Sequence, residues 1–276
     1  MSITRRSFVR LAGVGTLSAA LSEMSHSVEP KNNQNILSND KKGDRIVAVP
    51  DKNIYLKRVI SALKRQWPDN RTVNIVCHGH SVPAGFFKTP LVDTFNAYPH
   101  LLHKGLKENY PYCVCNVIVT AIGGETSQSG DERFETYVLC HRPDVVTIDY
   151  ALNDRGIGLK DARLHWVSMI EKAVSQRVLV LLLTPTPDMD HKPDDPNEPL
   201  NQHADQIRAL AAEYEVGLVD SLAGFDQYQK ETGNVSDLLS QINHPNRKGH
   251  DIVAERLLSW FSDDPSPVGV GKWNSF

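Results

Sequence analysis

The chain has 276 residues, 40% of them apolar and 23% charged, enough to bury a sizeable core and ordinary for a globular protein. Its formal charge of −3 gives no electrostatic case for a nucleic acid or an anionic membrane as partner. No apolar run is long enough to span a bilayer as a helix, so no integral membrane segment is expected.

The first residues stand apart. Arg5 and Arg6 are adjacent, Phe8 follows, and 11–21 is a weakly apolar stretch ending in the small residues Ser18, Ala19 and Ala20. The order resembles a twin-arginine export signal, with an amphipathic N-terminal helix as the alternative. The resemblance implies a protein folded before export and delivered to the periplasm or the exterior. Residues 1–26 are assigned to the signal. Residues 27–45, rich in Ser, Asn, Asp and Lys, read as a flexible linker, and 263–276 as a loose tail.

Between them the pattern alternates. Apolar residues at 56, 59, 60, 63 and 67 predict a helix over 54–67, followed by a strand over 73–77. Pro99 opens a helix over 99–109, then 113–120 is strand-like and 132–141 helix-like. A strand over 144–150, a helix over 159–175 and a strongly apolar strand over 177–184 follow. The chain closes with a helix over 200–214, a short strand over 216–220 and a helix over 247–261. Near-continuous apolar strands separated by helices predict a parallel sheet covered on both faces, one three-layer α/β/α domain over 46–262. A β/α barrel would need eight such units, and five are present.

Four cysteines are present: Cys77, Cys113, Cys115 and Cys140. They lack CxxC or zinc spacing, and Cys113 and Cys115 fall on one face of a strand. Buried free thiols are expected, although an exported chain could use two disulfides.

Ligands of open α/β sheets bind beyond the carboxyl ends of the strands. There the sequence places His78-Gly79-His80-Ser81, Ile122-Gly123-Gly124-Glu125-Thr126, Ala151-Leu152-Asn153-Asp154 and Asn243-His244-Pro245-Asn246. A serine, a glycine pair, an asparagine and a histidine converging on one edge suit acyl transfer. A serine hydroxyl needs a base to become a nucleophile, and the tetrahedral oxyanion needs fixed donors. His78 and His80 also form an HxH pair, which can bind metal, but no third ligand cluster accompanies it. Asp154 is expected to hold its loop, Trp166 to lie in the core, and His191 to be exposed in the Pro/Asp-rich stretch 188–198.

These four blocks, in this order, resemble the SGNH hydrolase (GDSL esterase/lipase) superfamily over roughly 70–260. The resemblance implies a five-stranded parallel sheet in flavodoxin-like order and a serine esterase without metal or organic cofactor. It further implies Ser81 as nucleophile, His244 as general base, and Ser81 N–H, Gly124 N–H and the Asn153 amide as oxyanion donors. Three positions depart from the family pattern. His80 replaces the Asp of Gly-Asp-Ser, and Ala151 replaces a Gly. Gln241 stands where an Asp three residues before the histidine would orient it; Asp237 is a second candidate for that task. A small-molecule or carbohydrate ester is the implied substrate, an O-acetyl carbohydrate being favoured over a lipid, since no amphipathic lid or exposed apolar segment stands out. A catalytically weak glycan-binding protein and a metal-dependent phosphodiesterase using the HxH pair are the alternatives.

Overall fold

The computed structural model describes residues 48–262, so the signal, linker and tail assignments (1–26, 27–45 and 263–276) lie outside the described residues. Five parallel strands form one sheet: β1 (Thr72–Gly79), β2 (Val114–Val119), β3 (Val145–Asp149), β4 (Leu179–Leu183) and β5 (Gly217–Val219). Their order is β2-β1-β3-β4-β5, the flavodoxin-like arrangement expected. Among the helices are α1 (Lys57–Leu63), α2 (Ser81–Ala84), α3 (Tyr98–Asn109), α4 (Ser127–Glu132), α5 (Gly158–Ser175), α6 (Pro199–Glu213), α7 (Ser221–Thr232) and α8 (Arg247–Leu258). A small antiparallel pair, β6 (Leu239–Gln241) and β7 (His244–Pro245), precedes α8.

Both sheet faces are buried, which is why the strands read as continuous apolar runs. Ile75, Cys77, Leu181, Leu183 and Val219 join one core with Leu102 and Leu106 of α3 and Val253 and Leu257 of α8. The alternate residues Val76, Val146, Ile148, Val180 and Leu182 face the other core, with Trp166, Met169 and Ile170 of α5 and Ile207 of α6. Strand side chains alternate across the sheet, so one apolar sequence feeds two layers.

Three local expectations need correction. The single helix over 54–67 is two pieces, Lys52–Tyr55 and α1, parted at Leu56, and it ends before Trp67, which is exposed. The helix over 132–141 is α4, a turn at Phe134–Tyr137 and a 3-10 turn at Leu139–His141, which together drive Phe134 into the core against His78. Helix α7 was not foreseen: it contains the poor helix former Gly224, and only Leu222 and Phe225 are its large buried residues. Of the four thiols, Cys77, Cys113 and Cys115 are buried and free as expected, whereas Cys140 is free but exposed.

Strands β1 and β3 are neighbours whose following connections run to opposite sides, so a crevice opens at their carboxyl ends. Gly79, the last residue of β1, pairs with Asp149, the last of β3. A Cβ on Gly79 would stand 2.4 Å from the Asp149 carbonyl oxygen and 2.7 Å from Pro83 Cγ. Gly79→Ala is therefore expected to cost about 1–3 kcal/mol of stability by overpacking. The measurement is urea unfolding, where the midpoint should fall at constant slope; an unchanged midpoint would show that this backbone can yield.

Candidate active site

The chain leaves β1 through His80, whose N–H donates to the Asp149 carbonyl at 3.2 Å, and turns at once into α2 with Ser81 as first residue. First-turn N–H groups of a helix have no intrahelical acceptor, so the Ser81 N–H is left for a ligand. Gly85, at φ +90°, ends the helix after one turn and sends the chain back over it. The returning loop is pinned by Phe86 N–H to Ser81 O at 3.0 Å and by Phe87 N–H to Leu91 O at 3.1 Å.

The β6–β7 hairpin brings in the histidine from the other end of the sequence. Its register sets Gln241 opposite His244. Asn246 then starts α8 by accepting from the N–H groups of Lys248 and Gly249, at 2.9 and 3.2 Å. His244 Nε2 lies 2.9 Å from Ser81 Oγ, and both residues are buried.

The other imidazole nitrogen is more unusual. His244 Nδ1 lies 2.9 Å from the Phe87 carbonyl oxygen and 2.8 Å from Gln241 Nε2. The carbonyl demands a proton on Nδ1, whereas the amide nitrogen, itself a donor, demands a lone pair. Only the first tautomer leaves Nε2 free to accept from Ser81. Gln241 is fixed in this orientation because its Oε1 accepts from Thr89 N–H at 2.9 Å. The Phe87 carbonyl is thus the group that fixes the Nδ1–H tautomer of His244 and leaves Nε2 to accept. Burial lowers the His244 pKa, the Phe87 carbonyl works against that shift, and the proximity of His80 adds to it. Asp237 does not take this role. It is exposed, and its carboxylate accepts from Asn234 Nδ2 at 3.1 Å rather than meeting His244.

Gly124 and Asn153 lie at the ends of the two flanking strands. Gly124 has φ +83°, a conformation that other residues adopt only under strain, and nothing lies within 4 Å of where its Cβ would be. Asn153 donates one amide hydrogen to the Glu125 carbonyl at 2.8 Å and keeps a second. Asp154 accepts from Ser127 N–H and Trp166 Nε1–H, both at 2.7 Å, so it anchors the loop and Trp166 is core, as expected.

Residues not foreseen hold these donors in place. Arg133 Nε donates to Glu125 at 3.0 Å and Arg133 Nη2 to Tyr150 Oη at 3.3 Å; Tyr150 Oη meets His78 Nε2 at 3.1 Å. His78 Nδ1 meets Thr120 Oγ1 at 2.9 Å, and Nε2 also meets the Gly130 carbonyl at 3.1 Å. Burial, reinforced by Arg133, lowers the His78 pKa to about 3, so the ring is neutral. With both ring nitrogens engaged, His78 is a strut between β1, β2 and β3, and the metal-binding reading of the HxH pair loses its first ligand. His250 does a similar service: it stacks on Phe87 with ring centroids 5.0 Å apart and accepts from Tyr98 N–H at 3.2 Å, and burial lowers its pKa to about 3. Sequence spacing gave no sign of either task. His191, expected to be exposed, is buried between Glu198 and Asp226, with Nε2 3.0 Å from Asp226 Oδ1. The loops beyond the strands also expose Leu91, Val92, Ile122, Met189 and Ile242, an apolar rim that sequence reading did not foresee.

A family profile described as GDSL-like Lipase/Acylhydrolase matches residues 77–252. An acetylxylan esterase of Geobacillus stearothermophilus is 26% identical over 165 residues, which are 55% of this chain and 75% of that protein. The crystal structure of that organism's acetylxylan esterase Axe2 superposes with a TM-score of 0.59 at 21% identity, covering 68% of this chain and 94% of Axe2. A GDSL-like lipase structure from Parabacteroides merdae superposes at 0.60 with 16% identity, covering 70% of this chain and 96% of that one. Solved catalytic variants of Axe2 replace a serine, a histidine, and an aspartate three residues before that histidine.

Gln241→Glu substitutes an isosteric acceptor for the donor at His244 Nδ1. A carboxylate at that distance favours the imidazolium, so the His244 pKa is expected to rise by about one unit or more. An NMR titration of the imidazole signals measures it. An unchanged value would mean that residue 241 has no electrical influence on His244.

Proposed function

Because the chain belongs to the GDSL-like lipase/acylhydrolase family, we propose that it hydrolyses carboxylic esters through an acyl-enzyme on Ser81. The observation that carries this reading is the 2.9 Å contact between Ser81 Oγ and His244 Nε2, with Nδ1 turned to the Phe87 carbonyl. Ser81 Oγ attacks the ester carbonyl carbon while its proton passes to His244 Nε2. The carbonyl electron pair moves onto oxygen, where the N–H groups of Ser81 and Gly124 and the free amide hydrogen of Asn153 receive it. Collapse breaks the bond to the alkoxy oxygen, which takes the proton back from His244. Water repeats the sequence on the acyl-enzyme and releases the acid.

Gln241 occupies the position three residues before the histidine that carries an aspartate in Axe2. The reading is therefore of a Ser–His pair oriented by a backbone carbonyl rather than a carboxylate triad. No metal or organic cofactor enters it. The substrate is a short acyl ester, with an O-acetyl group on a carbohydrate as the favoured case. The acetylxylan esterase relative supports this choice. Phe86, with its ring centroid 6.0 Å from the His244 ring, is placed to border the acyl group. Export by residues 1–26 remains part of the proposal, and fractionation of cells carrying Arg5 and Arg6 replaced by Lys tests it.

A fluorophosphonate is expected to label the wild-type protein and not Ser81→Ala. Hydrolysis of nitrophenyl acetate should fall by at least about 10³-fold in Ser81→Ala and in His244→Ala. Since burial lowers the His244 pKa and the base must be neutral to act, the acid limb of kcat/KM should have its midpoint below the 6.5 of an ordinary histidine. Acetate release from acetylated xylo-oligosaccharides, compared with octanoyl esters, measures the substrate preference. Undiminished activity in Ser81→Ala would overturn the mechanism.

A further inference from the structure

Ser81 faces two imidazoles. Besides His244 there is His80, fully buried, with Nδ1 3.4 Å from Ser81 Oγ. The same Nδ1 accepts from Val82 N–H at 3.3 Å, which caps α2. An Nδ1 that accepts leaves the ring proton on Nε2. That buried atom has no hydrogen-bond partner, and its facing group is Asp149 Oδ1 at 3.5 Å. Asp149 is itself buried at the end of β3, and its Oδ2 accepts from Tyr98 Oη–H at 3.1 Å. A buried carboxylate therefore lies behind the imidazole next to the nucleophile, where sequence reading expected only a turn, while Gln241 stands at His244 in place of a carboxylate.

We propose that His80 and Asp149 form an imidazole–carboxylate pair that caps the turn presenting Ser81 and supplies, beside the nucleophile, the buried negative charge that Gln241 does not. The inference rests on Ser81 being the nucleophile. His80, with Nδ1 3.4 Å from Ser81 Oγ and engaged by Val82 N–H, and Asp149, which acts through His80, are both positioning residues. Asp149 favours the Nε2–H tautomer, so Nδ1 keeps the lone pair that accepts from Val82 N–H and caps α2, the turn that presents Ser81. When the Ser81 proton moves to His244, the imidazolium forms in a cluster that already holds this carboxylate. At 3.5 Å the His80–Asp149 contact is loose, and such contacts tighten in the substrate complex.

The charge can be relocated. Aspartate caps other helices of this chain, as Asp51 and Asp220 do, so an aspartate at 80 can cap α2 and carry the charge itself. Asp149→Asn is expected to lower kcat on nitrophenyl acetate by about tenfold or more with little change in KM. His80→Asp, which sets two carboxylates against each other, is expected to lower it at least as much. His80→Asp combined with Asp149→Asn restores one cap and one charge, and should recover kcat to within about threefold of wild type. His80→Asn, which keeps a cap without the charge link, should stay slow while folding normally by circular dichroism. A double variant as slow as the singles, or His80→Asn at the wild-type rate, overturns the proposal. Fluorophosphonate labelling of Ser81 in the wild type separates this failure from that of the esterase reading: labelling present with no rescue rejects the pair alone, and labelling absent rejects both.

Discussion

The site depends on how closely β1 and β3 approach at their carboxyl ends. Gly79 has no side chain, so the Asp149 carbonyl can sit against its backbone and accept the His80 N–H. That bond fixes where β1 stops and where α2 begins. It also sets the distance between the loop carrying Ser81 and the loop carrying Asn153, since these follow the two paired strands. A bulkier residue at 79 would part the strands that carry the Ser81 and Asn153 loops, which the proposed mechanism needs around one carbonyl group. The strand order adds the crevice, and the close approach fixes its width.

Burial decides the state of the histidines around that crevice. His78 and His250 lie in the core with pKa values pushed down to about 3, so both serve as neutral hydrogen-bonding struts. One locks the loop of Gly124 through Tyr150, Arg133 and Glu125, and the other props the Phe87 ring so that its carbonyl meets His244. Neutral struts suit the proposed mechanism, because a cation there would oppose an imidazolium at His244. The same desolvation acts on His244 and keeps it unprotonated at lower pH.

Much of the fold was legible because both faces of a parallel sheet are buried, so each strand is an uninterrupted apolar run that stands out against amphipathic helices. The strand-end blocks were legible for the same reason: where an apolar run stops, the residues that follow lie at the sheet edge. What stayed hidden depends on pairing between distant segments. The use of the Phe87 carbonyl carries no side-chain signature, and its loop is shaped by contacts with α8. The burial of His191 arises from Glu198 and Asp226 meeting it from α6 and α7, the second of which was itself not foreseen. Asp237 was attractive by sequence proximity alone, and the hairpin register chose Gln241 instead.

The choice of a carbonyl to orient His244 has an energetic consequence. A carbonyl dipole and a carboxylate both fix the Nδ1–H tautomer, but only the carboxylate gains strongly when the ring becomes positive, because charge–charge attraction in a poorly screened site exceeds charge–dipole attraction. A carboxylate hydrogen-bonded at Nδ1 would also raise the resting pKa and leave part of the enzyme protonated in mildly acidic surroundings. With Phe87 and Gln241 the resting base stays free at lower pH, at the expense of the transition state. A carboxylate placed beyond the nucleophile, reached through a neutral imidazole, avoids that conflict. The substitution of His for Asp beside the nucleophile and of Gln for Asp before His244 then belong to one electrostatic arrangement.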